Sequence, residues 1–181
     1  YVPEGQYLLD EVTIVTDNKE VKPSMLTPFV RQTPNAKWFS LVKTQLYVYN
    51  WSGPDSTKWT NRALRRLGDA PVIYSPSETD RTCQEITKAV QNMGYMGASV
   101  TSERILSKKR IKLTYRISTG RPYRIKSLSR DIQDDQIAEL LRSDSVSLLS
   151  PQMLFDINQL DAERQRIVNL LRNRGYYKFN K

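Results

Sequence analysis

The clearest alternation of apolar and polar side chains in the chain lies at residues 111–118. Every second position there is apolar and the positions between are polar; the apolar members are Ile111, Leu113, Tyr115 and Ile117. Successive side chains of a strand point to opposite faces, so this pattern predicts a strand with one buried face. The mostly polar run 98–105 predicts a weaker strand before it, with a turn at 107–109 between them.

Helical spacing of apolar residues occurs twice, and both times a glycine and a tyrosine follow. One stripe comprises Ile86, Ala89, Val90 and Met93, and the other comprises Leu160, Ile167, Leu170 and Leu171. Gly94-Tyr95 follows the first stripe and Gly175-Tyr176 the second. Glycine readily adopts the left-handed conformation that closes a helix, so each run predicts a helix, a glycine stop and a strand. Thr79 or Asp80 is the predicted cap of the first helix.

These two runs belong to an internal repeat. An offset of 81 residues aligns 80–95 with 161–176, with identical residues at Asp80/Asp161, Gln84/Gln165, Ile86/Ile167, Asn92/Asn173, Gly94/Gly175 and Tyr95/Tyr176. Upstream, an offset of 116 aligns Tyr7, Leu9 and Val12 with Tyr123, Ile125 and Leu128. Short helices are predicted at 24–32 and 135–143, capped by Ser24 and Asp135. The chain therefore contains two copies of a strand, helix, helix, strand, strand unit.

The repeat predicts an α+β fold in which two helices pack on a small mixed sheet in each unit. The first unit spans residues 1–119 and the second 120–181. Because the two offsets differ by 35 residues, an insertion is predicted at about 35–74 of the first unit. The second unit stops before its last two strands and looks cut. Leu140, Leu141, Ile167 and Leu171 are therefore expected to be partly uncovered.

Composition excludes several kinds of chemistry. The 181 residues contain no histidine and a single cysteine, Cys83, so the chain cannot form a histidine general base, a Cys/His zinc site or an internal disulfide. Carboxylates are scattered, and no phosphate loop or nucleophile constellation is present. We predict no catalytic residues, no cofactor and no metal.

The net charge of +9 makes anionic surfaces such as lipid headgroups or nucleic acid candidate partners. Its densest cluster, at Lys108, Lys109, Arg110 and Lys112, is interpreted as a solvated hairpin tip. Nucleic-acid binding is the rival interpretation, but Tyr115 is in phase with the apolar positions and provides no stacking platform. No nucleic acid is expected as a partner.

The repeated unit, with Gly-Tyr after its second helix and the junction Gly120-Arg121-Pro122-Tyr123-Arg124-Ile125, resembles the POTRA domains of the BamA/TamA outer-membrane family. The opening residues 1–10 are similar to the soluble region of TamL-type lipoprotein variants of that family. The resemblance implies a scaffold on the periplasmic side of the outer membrane, anchored by a barrel and a lipid outside this sequence. It also implies unfolded outer-membrane client polypeptides and an inner-membrane TamB-like protein as partners. The alternative is a barrel-less envelope adaptor of the same fold.

Two surfaces are candidate binding sites. The polar run 98–105 is interpreted as an edge strand that binds extended peptides, formed by Ala98, Ser99, Val100, Thr101, Ser102 and Arg104. The alternative is that charge merely protects this edge. A helix at 56–67 of the insertion places Trp59, Arg62, Arg65 and Arg66 on a predicted membrane or partner surface. The alternative there is a small satellite core.

Overall fold

The computed structural model describes residues 5–35 and 71–179. Three strands, four α-helices and one 3-10 turn follow each other in this part of the chain. In chain order they are β1 (Leu8–Thr16), α1 (Pro23–Leu26), the 3-10 turn (Thr27–Phe29), α2 (Pro76–Asn92), β2 (Ser99–Ser107), β3 (Arg110–Ser118), α3 (Asp135–Ser143) and α4 (Ile157–Asn173). The predicted α+β fold is confirmed.

The described residues form two compact units, and each consists of separate stretches of chain. The first comprises 5–35, 71–87 and 99–118, and the second comprises 88–98 and 119–179. The last turn of α2 and the Gly94 turn therefore group with the second unit. The boundary at 119/120 inferred from the repeat stays a prediction.

The sheet of the first unit has the order β1-β3-β2, with β3 in the centre. β3 runs parallel to β1 and antiparallel to β2. A parallel pair needs a crossover connection, which the segment containing α1 and α2 provides. The four apolar side chains of β3 are buried, which confirms the strand predicted from their alternation: Ile111, Leu113, Tyr115 and Ile117.

The first helix is shorter than predicted. We expected a helix over 24–32 capped by Ser24; instead α1 ends at Leu26, its N-cap is Lys22 without a side-chain hydrogen bond, and a 3-10 turn follows. Pro28 explains the early end. Proline has no amide hydrogen, and its ring would collide with the carbonyl four residues back if the α-helix continued.

The start of α2 also differs from the prediction. The helix begins at Pro76, so Thr79 and Asp80 lie inside it and are not its caps. Proline suits the first helical position because that amide has no intrahelical acceptor. The Thr79 hydroxyl instead donates to the Ser75 carbonyl at 3.1 Å.

In the second unit, both helices begin with an aspartate cap. α3 spans the predicted residues, but its cap is Asp134 and not Asp135; the Asp134 carboxylate accepts the amides of Gln136 at 2.9 Å and Ile137 at 3.0 Å. Asp156 caps α4 in the same way, accepting the Asn158 amide at 2.8 Å.

The apolar faces of these helices are better covered than expected. Leu141 and Leu171 are buried, so the predicted exposure of these two residues is wrong. Leu140 and Ile167 are half-buried. Val168, which the predicted stripe omitted, is also buried, because the covered face of α4 is wider than the predicted stripe.

The internal repeat is visible in the backbone of both units. In the first unit the Tyr74 amide donates to the Tyr7 carbonyl at 2.9 Å, and in the second the Phe155 amide donates to the Tyr123 carbonyl at 2.9 Å. Isolated bridges join residues at corresponding positions: Leu8 with Ile73, and Arg124 with Leu154. These pairs reproduce the offsets of 116 and 81 residues. The repeat is therefore structural.

Candidate strand-binding edge

β2 is an outer strand of the first unit's sheet. Its nine residues pair with β3 in one continuous antiparallel register, without a bulge. Along its other edge, no strand of the described residues is paired with it. Such an edge presents amide and carbonyl groups at regular spacing, which is what an added strand requires.

The structure places most of the predicted edge residues in this strand. Ser99, Thr101, Ser102 and Arg104 are exposed, and Val100 is half-buried. Ala98 is different: it precedes β2, it is buried, and its amide donates to the Tyr95 carbonyl at 2.9 Å. The candidate edge therefore starts at Ser99, because the chain is still closing the Gly94 turn at Ala98.

β2 extends two residues further than predicted and carries two exposed apolar side chains. Ile105 and Leu106 are 65% and 56% exposed. The cross-strand register places Leu106 opposite Ile111, whose side chain is buried. Leu106 therefore extends the apolar face of β3 onto the neighbouring strand β2, where a ligand can reach it.

Two ion pairs join charged side chains of neighbouring strands in the sheet. The Lys112 ammonium lies 2.9 Å from the Glu11 carboxylate, and the Arg116 guanidinium lies 2.7 Å from that of Glu103. The hydrogen bond and charge of Glu11 raise the pKa of Lys112. The Glu103 carboxylate of β2 therefore pairs with the Arg116 guanidinium of the central strand. Arg104 is the basic residue of β2.

The basic cluster lies where the hairpin turns. Lys108, Lys109, Arg110 and Lys112 are all exposed, and Lys108 has a φ of 55°. Tyr115 is fully buried, which confirms that it faces away from solvent. The hairpin therefore offers no aromatic platform for a nucleic-acid base at this position.

Residues 5–35 and 71–179 were searched for a metal centre and for a reactive thiol. They contain no cluster of three or more His, Cys, Asp or Glu side chains that could hold a metal ion. Burial raises the pKa of the Cys83 thiol, which disfavours the reactive thiolate.

The two glycine turns share one backbone geometry. Gly94 and Gly175 have φ values of 96° and 99°, which confirms the predicted glycine stops. The Tyr95 amide donates to the Val90 carbonyl at 3.3 Å, and the Tyr176 amide donates to that of Leu171 at 3.1 Å. This pattern satisfies carbonyls at the end of each helix.

Gly94 makes a close contact that Gly175 does not. The Gly94 carbonyl accepts the Tyr123 amide at 2.8 Å, and a Cβ at position 94 would lie 3.2 Å from the Phe155 carbonyl oxygen. A Cβ at position 175 would meet no atom within 4 Å. Gly94 is therefore required for close approach as well as for its φ, which the sequence did not reveal.

Sequence reasoning also missed a buried carboxylate in the second unit. Glu163 is only 3% exposed. Arg166 donates to it twice, at 2.8 and 3.0 Å, and further hydrogen bonds come from the Ser147 hydroxyl and the Leu148 amide, both at 3.1 Å. The hydrogen bonds from Arg166 lower the pKa of Glu163 to about 2. A glutamate on a predicted helix gives no signal that it is buried.

The second predicted surface cannot be placed. Trp59, Arg62, Arg65 and Arg66 lie outside the described residues. In residues 5–35 and 71–179, every helix is too short or too polar to cross a membrane.

The described residues define a class of protein: an α+β module in which α1 and α2 follow β1 and precede the β2–β3 hairpin, and whose start is repeated in the second unit. The family model for POTRA, described as a surface antigen variable number repeat, matches residues 7–120. The chain belongs to the POTRA family.

Among the solved structures that are similar to the chain are POTRA domains from Haemophilus influenzae and Anabaena. The chain is 15% identical to POTRA4 of Haemophilus influenzae BamA, covering 65% of this chain and 95% of that one, with a TM-score of 0.39. It is 11% identical to POTRA1-2 of the periplasmic domain of Omp85 from Anabaena, covering 99% and 86%, with a TM-score of 0.38. It is 13% identical to POTRA3-5 of the Haemophilus influenzae protein, covering 99% and 91%, with a TM-score of 0.32. No curated protein matches the chain.

Proposed function

We propose that the chain is a periplasmic scaffold region of an outer-membrane protein insertion or translocation factor. It binds extended client polypeptides by accepting them as an additional strand along β2, and it has no catalytic activity. Membership of the POTRA family supports the scaffold role. The observation that carries the binding mode is the continuous, bulge-free outer edge of β2.

The side chains of β2 suit this mode of binding. In strand addition, main-chain hydrogen bonds provide affinity and alternate side chains provide specificity. Ser99, Thr101 and Ser102 are small and exposed, so they leave the backbone accessible. Ile105 and Leu106 add apolar contact area at the far end of the strand. We therefore expect clients that are extended, with apolar side chains near one end of the bound segment.

Site-specific photocrosslinking tests this binding mode. A photoreactive amino acid is introduced at Ser99 or Thr101, and an outer-membrane barrel polypeptide diluted from urea serves as the client. We expect crosslinks from both positions. Thr114 is the matched control, because it lies opposite Glu103 in the central strand and is not at the edge. Equal labelling from position 114, or none from 99 and 101, would contradict the proposal.

The likeness of the opening residues to TamL-type lipoproteins extends the proposal to anchoring and partners. In this part of the proposal, a barrel and a lipid hold the chain at the outer membrane, and a TamB-like protein of the inner membrane binds it. Trp59, Arg62, Arg65 and Arg66 form the proposed membrane or partner surface. Flotation with anionic liposomes tests that surface: changing the three arginines to glutamate should abolish binding, and unchanged flotation would exclude it.

A further inference from the structure

The tip of the β2–β3 hairpin, residues 104–112, carries a concentrated positive charge. It contains five basic residues and no acidic one: Arg104, Lys108, Lys109, Arg110 and Lys112. All five are exposed. Two carboxylates of β1 approach them, with Asp10 3.9 Å from Arg110 and Glu11 2.9 Å from Lys112. Because the cations outnumber these carboxylates, the hairpin tip attracts anions.

The turn of the hairpin places a lysine where the backbone disfavours one. Ser107 pairs with Arg110, so Lys108 and Lys109 form a two-residue turn. Lys108 has a φ of 55°, a left-handed conformation that glycine and asparagine adopt at lower cost. A cation therefore occupies the outermost position of the hairpin despite the strain, which favours a functional use of its charge.

Apolar side chains flank this turn on both faces of the hairpin. Residues that lie opposite each other in an antiparallel pair share a face of the sheet. Leu106 lies opposite Ile111, which is buried, and Ile105 lies opposite Lys112, which is exposed. Both Ile105 and Leu106 are nevertheless more than half exposed. The cover of the sheet therefore does not reach Leu106, and the hairpin tip presents an apolar side chain on each of its two faces.

We infer that the hairpin tip binds the surface of a bilayer that contains anionic phospholipids. The basic side chains contact the lipid phosphates, and Ile105 and Leu106 enter the boundary between headgroups and acyl chains. A bilayer surrounds an inserted tip on every side, which suits apolar side chains on opposite faces. The surface of an acidic protein would contact one face only.

The inferred site is separate from the start of the strand-binding edge. Ser99 and Ser107 are the first and last residues of β2. At the rise of an extended strand they lie about 26 Å apart, whereas interfacial segments enter a bilayer by only about 5–10 Å. Lipid at the hairpin tip therefore leaves Ser99 and Thr101 in water, and the inference does not depend on client binding there.

A fluorophore that brightens in apolar surroundings tests the inference at the hairpin tip itself. Nitrobenzoxadiazole is attached to the full chain through Ser107→Cys, with Cys83→Ser removing the natural thiol. Ser99→Cys is the matched label position, because Ser99 is an exposed serine at the opposite end of the same strand. Vesicles of phosphatidylcholine mixed with phosphatidylglycerol should raise the emission at position 107 and leave position 99 unchanged. Neither vesicles of phosphatidylcholine alone nor glycerol phosphate in solution should change the emission.

Charge reversal tests the basic side chains. Lys108→Glu combined with Lys109→Glu should weaken vesicle binding about tenfold or more, measured by titrating the emission at position 107. Lys19→Glu combined with Lys22→Glu is the matched control, because it changes the net charge equally and both lysines are exposed. They follow the end of β1 that pairs with Ile117, away from the hairpin tip. This control should bind almost as well as the original chain.

Removal of the apolar side chains tests insertion. Ile105→Ser combined with Leu106→Ser should also weaken vesicle binding about tenfold or more. Both side chains are largely exposed, so the variant should fold, which circular dichroism checks.

Five outcomes would overturn the inference. Equal emission with neutral vesicles would show that anionic lipid is not recognised, and the same rise with glycerol phosphate would show that no bilayer is needed. Equal weakening in the Lys19 and Lys22 variant would assign binding to net charge. Unchanged binding of the Ile105 and Leu106 variant would exclude insertion. Flotation of the chain with anionic vesicles without a change at position 107 would assign the membrane contact to another surface.

Discussion

At the scale of single residues, the two glycine turns provide a matched pair of positions. Both have the φ of a left-handed residue, but only Gly94 faces a neighbouring backbone, that of Phe155. Gly175→Ala should cost about 1–2 kcal/mol of unfolding free energy from backbone strain alone. Gly94→Ala should cost more, because its Cβ would also press on the Phe155 carbonyl. Urea unfolding followed by circular dichroism measures both, and equal losses would contradict the assignment.

The buried Glu163 carboxylate makes stability depend on acid. Its pKa is about 2 in the folded chain against an ordinary value of 4.5. The folded state therefore gains stability from this group above about pH 4.5 and loses it as the pH falls toward 2, by about 3 kcal/mol in total. Arg166 also lowers the pKa of Asp144, which adds to the same trend.

Replacing the carboxylate tests this dependence. Glu163→Gln should lower stability near neutral pH and flatten the loss below about pH 4.5. Glu139→Gln is the control, because Glu139 pairs with Arg142 on the exposed face of α3. Urea unfolding at several pH values provides the measurement. An unchanged acid slope in the Glu163 variant would show that other carboxylates cause it.

The phenol of Tyr115 is buried beside the hydroxyls of Thr79 and Thr82, and neither contact has the geometry of a hydrogen bond. No partner for its hydroxyl is found among the described residues, and burial raises its pKa. Removing an unsatisfied hydroxyl relieves a desolvation cost, so Tyr115→Phe should leave stability unchanged or raise it by about 1 kcal/mol. Tyr115→Ala, which opens a cavity, should lose about 3–5 kcal/mol. Thermal unfolding compares the two, and a loss of about 1 kcal/mol or more in Tyr115→Phe would show that the hydroxyl is hydrogen-bonded.

At the scale of elements, the cap of α3 is decided by one residue. Asp134 accepts two amides, whereas Asp135 is the first helical residue. Asp134→Ala should therefore cost about 1 kcal/mol, and Asp135→Ala much less. Chemical unfolding of the two variants measures the difference, and the reverse order would restore the cap predicted from sequence.

The elements predicted best from the sequence are those in which the apolar positions of the pattern are the buried positions of the structure. The alternation of β3 was readable because β3 is central and one face is buried along its whole length. α1 ended early because Pro28 overrides a helical pattern that otherwise continues to Val30. Asp134 and Asp135 are equally good cap candidates in the sequence, and only the backbone shows that Asp134 is extended and Asp135 is helical.

The candidate site could be predicted only in part for the same reason. A polar run with few large apolar residues predicted β2 as an outer strand, but Ile105 and Leu106 near its end do not fit that pattern. The second role of Gly94 depends on Phe155, and the burial of Glu163 depends on partners such as Ser147. Contacts between residues far apart in sequence leave no local pattern to read.

At the scale of the whole molecule, the boundary inferred from the repeat, 119/120, does not separate the compact units, because residues 88–98 group with the second unit. A fragment of residues 1–119 would retain Gly94 without Tyr123, whose amide its carbonyl accepts. We expect the amides of 88–98 to exchange faster with solvent in this fragment than in the full chain. Hydrogen exchange with mass spectrometry measures this, with α2 residues 76–87 as the internal control. Equal exchange would show that the turn is stable by itself.

The division of the second unit into 88–98 and 119–179 also constrains how such chains can recombine. A single crossover between two relatives cannot exchange this unit intact, because residues 99–118 of the first unit lie between its two stretches. A chimera joined at 119/120 would combine one parent's Gly94 turn with the other parent's Phe155 segment. Residues 88–98 and 119–179 therefore have to be exchanged together. We expect a chimera to fold well only when both stretches come from the same parent.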